Sequence, residues 1–274
     1  MRKLAAYYFS GTGNTRYVTD ELCGYLAGEF AVQVYDISDD GVRVDDGSDM
    51  LLFAFPIYGS APPVPMRRFI HANAAAIKGK EVIVIATQFM FSGDGAASLG
   101  RTITKLGGRV NYAEHIDMPN NLADFPLLKI RNGAALEKIL KKADKRIKGL
   151  ACNVKEGYRF RRGFDPLSHA VGYFLQRKWW LKGEKSKKNK LRIDAENCVG
   201  CGACVGKCPV HNLVIERGKA KPRGNCAFCY RCVNLCPKQA IALFGKNTPA
   251  VQYKGPILVS EKTGKAVPQT ITAE

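Results

Sequence analysis

The sequence predicts an α/β chain: a doubly wound, five-stranded parallel sheet over residues 1–152, then a small α+β domain over residues 191–245. Three observations predict it. Near-continuous apolar runs alternate with amphipathic stretches through the first half, the pattern of a parallel sheet covered on both faces. Eight of the ten cysteines crowd into residues 198–236, in two copies of one spacing. Between these regions the composition turns sharply basic, which marks residues 153–190 as a linker of its own kind, with residues 246–274 left as an extended tail.

Residues 2–9 (RKLAAYYF) form the first strand and run into SGTGNT. Tyr17, Val18, Leu22, Tyr25 and Leu26 then recur at helical spacing, so the order is strand, glycine loop, helix. Further strands are expected at 31–37, 50–55, 82–86 and 110–118, and helices at 66–77, 96–106 and 132–150. Five strands with their helices fit the doubly wound order 2-1-3-4-5, whose ligands sit at the carboxyl ends of the strands beside the switch point.

That rule directs attention to three loops. In the first, Ser10, Gly11, Thr12, Gly13, Asn14 and Thr15 offer hydroxyls and closely approachable backbone N–H groups at a helix start, enough to hold a phosphate monoester without a cation. The lysine of an ATP-binding loop is missing, and Arg16 stands where a dinucleotide fingerprint needs its last glycine. A plain helix-capping turn is the alternative. The second loop is Pro56, Ile57, Tyr58, Gly59 and Ser60; the third runs from Thr87 through Gln88, Phe89, Phe91, Gly93, Asp94 and Gly95. Each offers an aromatic on which a flat ring can stack.

Cys198, Cys201, Cys204 and Cys208 precede Pro209, and Cys226, Cys229, Cys232 and Cys236 precede Pro237. This is C-x2-C-x2-C-x3-C-P written twice, 28 residues apart. Three thiolates within seven residues let one loop wrap three corners of a cubane cluster, and the proline directs the fourth cysteine away. A pair of zinc sites or a disulfide framework is the competing reading, though neither needs the third cysteine in register or the proline.

The double motif resembles the bacterial ferredoxins with two [4Fe-4S] clusters, and the first 150 or so residues resemble flavodoxins. Over about residues 1–245 the chain is similar to the fused flavodoxin–ferredoxin proteins of anaerobic bacteria. The resemblance implies that one cluster takes Cys198, Cys201, Cys204 and Cys236 and the other Cys226, Cys229, Cys232 and Cys208. It implies FMN in the first domain, its phosphate on Ser10–Thr15 and its ring beside Pro56, Ile57, Tyr58, Gly59 and Gln88. Tyr58 and one of Phe89 or Phe91 would flank the ring, with Gly93, Asp94 and Gly95 along its far edge. Gly59 would ease the peptide adjustment that flavodoxins make beside the flavin on reduction. PPVP at 62–65 departs from the acidic loop usual in flavodoxins.

The implied function is electron transfer between FMN and the clusters, to or from a redox partner in anaerobic metabolism. A reductase of flavin, quinone or nitro compounds, fed by the clusters, is the enzymatic alternative. A redox sensor or nucleic-acid binder using the basic segment is another.

The net charge is +18, and residues 129–192 carry twenty Lys or Arg against five Asp or Glu. Such a segment suits an acidic protein partner, an anionic membrane surface or nucleic acid. Within it Phe164, Leu167, Val171, Phe174, Leu175 and Trp179 recur at helical spacing after an Asp165-Pro166 start. This stripe is expected to bury itself against one of the domains, with the lysines at 185–190 as a flexible connector. His169, Cys23 and Cys152 read as packing or surface residues. No apolar run approaches the roughly 18 residues needed to span a bilayer, and the start lacks a signal-peptide cleavage site. Abundant thiolates then point to a reducing cytoplasm. The second domain is too small for much core, so metal binding should supply most of its folding energy.

Overall fold

The computed structural model describes residues 1–125 and 127–256. Strands β1 (Arg2–Tyr8), β2 (Phe30–Asp36), β3 (Met50–Pro56), β4 (Glu81–Gln88) and β5 (Arg109–Asp117) lie in the order β2-β1-β3-β4-β5, and every pairing is parallel. Because side chains alternate along a strand, Leu4, Ala6 and Tyr8 enter one core with α1 (Asn14–Leu26) and α5 (Gly133–Glu156). Ala5, Tyr7 and Phe9 enter the other, with α2 (Val64–Ala72), α3 (Ala74–Ile77) and α4 (Gly95–Lys105). Both faces are buried, which is why the strands read as unbroken apolar runs.

The sheet has six strands where the sequence predicts five. Phe160–Arg161 adds β6 in parallel beside β5, with Tyr112 opposite Phe160. It is two residues long, exposed, and set in the basic run RFRR, so neither length nor alternation announces it. The expected boundary at residue 152 falls inside α5, which continues to Glu156 and ends on Gly157 in the left-handed conformation.

The linker is helical and docked. After the Asp165 cap come α6 (Pro166–Ala170), a π-helical segment (Val171–Arg177) and α7 (Lys178–Lys187), followed by a 3-10 turn over Lys188–Lys190. The lysine run expected to be a flexible connector is therefore part of this helix. The expected stripe is buried only in part: Phe164 packs against the first domain's core and Val171 is half-buried, but Leu167, Phe174, Leu175 and Trp179 are 58–74% exposed, and Gly172 and Arg177 are buried instead. A π-helix repeats about every 4.4 residues, so residues five apart share a face. Gly172 and Arg177 both face inward for that reason.

The second domain consists of two short antiparallel pairs, β7 (Arg192–Ile193) with β10 (Ile241–Ala242) and β8 (Leu213–Glu216) with β9 (Lys219–Pro222), and of helices α8 (Ala203–Gly206) and α9 (Arg231–Leu235). Its core mixes aliphatic side chains such as Leu191, Leu213, Val233, Ile241 and Leu243 with cysteines and aromatics. The start of the expected tail is anchored: Gln252 Nε2 donates to the Val233 and Cys236 carbonyls, and Tyr253 is buried with its backbone N–H on Asn234. Residues 257–274 of that tail lie outside the described residues.

Candidate functional site

A cavity with about 820 Å³ of free space, part of it open to solvent, lies at the carboxyl ends of β1, β3 and β4. Ser10, Gly11, Thr12, Asn14 and Thr15 line one end. Gly13 serves this loop through its backbone alone, adopting φ 94° as the residue before α1. The Ser10 hydroxyl accepts from the Gly13 and Arg16 N–H groups, Thr12 accepts from Asn121 Nδ2, and Thr15 pairs with Thr87. Asn14 is held structurally, donating to the Pro119 carbonyl and accepting from the Tyr253 hydroxyl.

The middle is lined by Pro56, Ile57, Tyr58, Gly59, Gln88 and Phe89, and the far wall by Trp180, Phe228, Tyr230 and Phe244. All 21 lining residues are uncharged. One end is thus rich in hydroxyl, amide and backbone donors at a helix start, and the other is aromatic. That suits a phosphate monoester carrying a flat ring. The buried Tyr58 hydroxyl has no hydrogen-bond partner. Burial, and after it the neighbouring Cys229 and Cys226, push its phenol well above the ordinary range. Tyr58 lines the cavity, and an orphaned buried donor in a lining residue suits a site that a bound polar group completes.

The rest of the loop after β4 is elsewhere. Phe91 is 61% exposed, and Phe91, Gly93, Asp94 and Gly95 do not line the cavity. Asp94 is fully buried beneath the linker helix: its carboxylate accepts from Arg177 Nη1 at 2.6 Å and Nη2 at 3.0 Å, and from Arg101. His169 Nδ1 lies 2.9 Å away. Gly93 packs against the Gly172 backbone with no room for a Cβ, and Gly95 opens α4. The physical reason is the buried charge: a desolvated carboxylate requires cationic partners, and the helix supplies Arg177.

The cysteines form two cages. Cys198, Cys201, Cys204 and Cys236 ring one small cavity, and Cys226, Cys229, Cys232 and Cys208 ring another. Each cage takes three thiols from one motif and the last from the other. Backbone N–H groups of Ala220, Ala240, Phe228 and Asn212 point at the sulfurs of Cys198, Cys236, Cys226 and Cys208, at 3.2–3.4 Å. Burial pushes Cys226 up to about 12. Burial and then neighbouring thiolates, Cys236 for Cys204 and Cys229, Cys226 and Cys208 for Cys232, raise those two groups. Gathering four thiolates in so dry a space needs strong positive charge among them, and a cage of four sulfurs with inward N–H donors fits an iron–sulfur cluster. Among the described residues, no three or more His, Cys, Asp or Glu converge on a single-ion site.

The cages and the cavity share a wall. Tyr230 lines both the flat-ring end of the cavity and the Cys226 cage, and its hydroxyl donates to Asp124 in the loop after β5. Asp124 also accepts the Leu243, Phe244 and Gly245 N–H groups, joining the domains. Arg231 donates to the Ser10 and Gly11 carbonyls. Gly11 is so close to the Cys229 carbonyl that any Cβ would collide with it. Residue spacing did not reveal Trp180, Phe228, Tyr230 and Phe244 as lining residues. The available signal was the aromatics at the spacer positions of CAFCYRC.

The class follows from these features. The chain joins a flavodoxin-like α/β fold, defined by its strand order, to a two-cluster cysteine domain. Residues 197–241 match the family described as a 4Fe-4S dicluster domain, and a second family of the same description matches residues 171–212. Ferredoxin-2 of Desulfomicrobium norvegicum is 47% identical over 30 residues, which cover 11% of this chain and 51% of that protein. The chain thus spans about half the length of this curated relative. Among solved structures, the flavodoxin of Fusobacterium nucleatum bound to flavin mononucleotide is 19% identical, covering 58% of this chain and all of that one, with a TM-score of 0.42. A flavodoxin from the domain Archaea is 18% identical over 56% of this chain and 99% of its own, with a TM-score of 0.39. A flavodoxin-like fold joined to a 4Fe-4S ferredoxin domain supports electron transfer.

Proposed function

We propose that this protein is an electron carrier that holds FMN in the neutral cavity and one [4Fe-4S] cluster in each cysteine cage. When bound, the flavin supplies exchange of one or two electrons and each cluster exchange of one. The observation that carries the reading is the shared wall: Tyr230 lines both the cavity and the Cys226 cage. The chain's own residues supply placement and dryness. Ser10–Thr15 bind the phosphate, Trp180, Phe228 and Phe244 keep water from the ring, and Arg231 fastens the cage loop to the phosphate loop.

The Cys198 cage is the outward end. Val199 is 58% exposed, and Cys201 and Lys238 are exposed beside it, so a redox partner meets the chain there. A reducing compartment, such as the cytoplasm of an anaerobe, keeps these thiolates available for iron. The aromatic cover contributed by the second domain disfavours a reductase, which needs a ring face open to a small acceptor.

The test is anaerobic purification, an absorbance spectrum and assays of flavin, iron and sulfide. About one FMN with eight irons and eight sulfides per chain is expected. Zinc in place of iron would overturn the cluster half of the reading, and absence of flavin after reconstitution with FMN would overturn the other.

A further inference from the structure

The linker helix packs its polar side inward and its apolar side outward. Gln176 reaches Ser60 at 3.0 Å and the Phe91 carbonyl at 3.3 Å, Arg177 reaches Asp94, and Glu184 takes a bidentate bond from Arg67 at 2.6 and 2.7 Å. Trp180 enters the cavity wall. On the other side Leu167 is 74%, Phe174 60%, Leu175 69% and Trp179 58% exposed. Scattered apolar residues on a surface are ordinary, but several on one helix face mark an interaction site.

The charge around that face selects the partner. Lys178, Lys182 and Lys185 are exposed on the same helix, while its one carboxylate, Glu184, is neutralised by Arg67. A hollow with about 950 Å³ of free space, part of it open to solvent, lies beside it, lined by Arg67, His71, Arg101, Lys105 and Arg177 among others. Nucleic acid would satisfy the lysines but gives Leu167 and Leu175 no apolar medium. An acidic protein surface would satisfy the lysines but would bury the same residues only where it offers an apolar patch of matching shape. An anionic bilayer satisfies both, because its interface admits Leu, Phe and Trp a few ångströms deep beneath a layer of phosphates. Among the described residues no helix is long and apolar enough to cross a membrane, so the contact is peripheral.

We propose that residues 167–185 dock this protein on an anionic lipid surface, with Leu167, Phe174, Leu175 and Trp179 entering the interface and the flanking lysines pairing with phosphates.

The experiment uses the full chain with its clusters and vesicles of phosphatidylcholine alone or with roughly a third phosphatidylglycerol. Flotation and Trp fluorescence are the readouts. Binding to the anionic vesicles, weakening at high salt and accompanied by a blue shift that Trp179→Phe diminishes, is the expected result. Phe174→Ser with Leu175→Ser should abolish flotation. Lys178→Glu with Lys182→Glu should weaken it roughly thirtyfold or more, since each lysine near the surface contributes appreciably. An unchanged cluster absorbance verifies the fold of each variant, and the two pairs act independently if one fails to fold. Equal binding to neutral and anionic vesicles overturns the proposal. So does no vesicle binding, whether the chain instead self-associates through this face or retains salt-dependent binding to duplex DNA.

Discussion

Replacing Asp94 with Asn tests what fastens the linker helix to the first domain. The carboxylate is fully buried, and Arg177, whose side chain is 9% exposed, has its guanidinium on both oxygens. Asn keeps the shape, removes the charge, and turns an N–H group toward a guanidinium that already has only donors. Removing one partner of a buried pair costs about 3–5 kcal/mol, because the other charge stays desolvated. For a chain of this size each kcal/mol lowers the melting temperature by about 2–4 °C, so a fall of roughly 10 °C is expected. The linker helix should loosen first, exposing its lysines to trypsin while the cluster absorbance persists. Asp94→Leu combined with Arg177→Met should recover only part of the loss: an apolar pair replaces the buried Asp94–Arg177 pair at little cost, but Arg101, which also bonds Asp94, is left without its carboxylate. A melting temperature for Asp94→Asn within about 1 °C of the parent would refute the anchoring argument. Such a result, with loss of bound flavin, would instead place Asp94 at the flavin edge, as the sequence predicts.

Three further outcomes follow from the geometry. Tyr58→Phe removes a buried hydroxyl without a partner, so the cofactor-free chain should gain about 1 kcal/mol in urea melts while FMN binds several-fold more weakly; equal signs for the two effects would contradict a role in holding the flavin. Cys208→Ser should empty the cage beside Cys226, and Cys236→Ser the cage beside Cys198; electron paramagnetic resonance of the surviving cluster distinguishes them, and either should slow flavin reoxidation by an external partner, while only Cys208→Ser should slow the first transfer out of the flavin. His115 is buried, its Nε2 accepts the Ala96 N–H at 2.8 Å, and burial, with Arg162 second, lowers its pKa to about 4. The unfolded imidazole takes up a proton near pH 6.5 and the folded one does not, so this contribution is full above that pH and is lost as pH falls toward 4. Between about pH 7.5 and about pH 5 the stability difference between parent and His115→Gln should shrink by about 2 kcal/mol; a pH-independent difference would show that His115 is not held neutral.

Much of this molecule is legible in its sequence because the determinants are local. Met50–Pro56 and Glu81–Gln88 are buried on both faces, so hydrophobicity alone marks them as strands. The cysteine spacing encodes cage geometry in the chain itself. The parts that escape reading depend on residues far apart. Asp94 and Arg177 lie 83 positions apart, and nothing at either position announces the other. The linker stripe follows a period of 3.6 in the sequence, whereas the π-helical Val171–Arg177 shifts the register and the buried ion pair decides which side turns inward. The cavity's far wall escaped for a similar reason: Phe228 and Phe244 reach it only because the second domain folds over the first.

That wall makes flavin binding depend on cluster binding. Phe228 and Tyr230 have φ of 59° and 60°, a left-handed conformation that costs a non-glycine residue of order 1–3 kcal/mol. They are held there between Cys226, Cys229 and Cys232, whose sulfurs face a common cage. A small domain whose folding energy comes from its metal loses that constraint when the clusters are removed, and the two aromatics can then relax away from the cavity. Each aromatic contact with a flat ring contributes about 0.5–1.5 kcal/mol beyond its area. Losing two should therefore weaken FMN roughly tenfold or more. Titration of cluster-depleted and cluster-loaded protein with FMN, followed by quenching of flavin fluorescence, measures this directly. Phe228→Ala in the loaded protein should reproduce part of the loss without removing iron. Equal affinities with and without clusters would mean that the flavin site is complete within the first domain and that the shared wall serves only electron exchange.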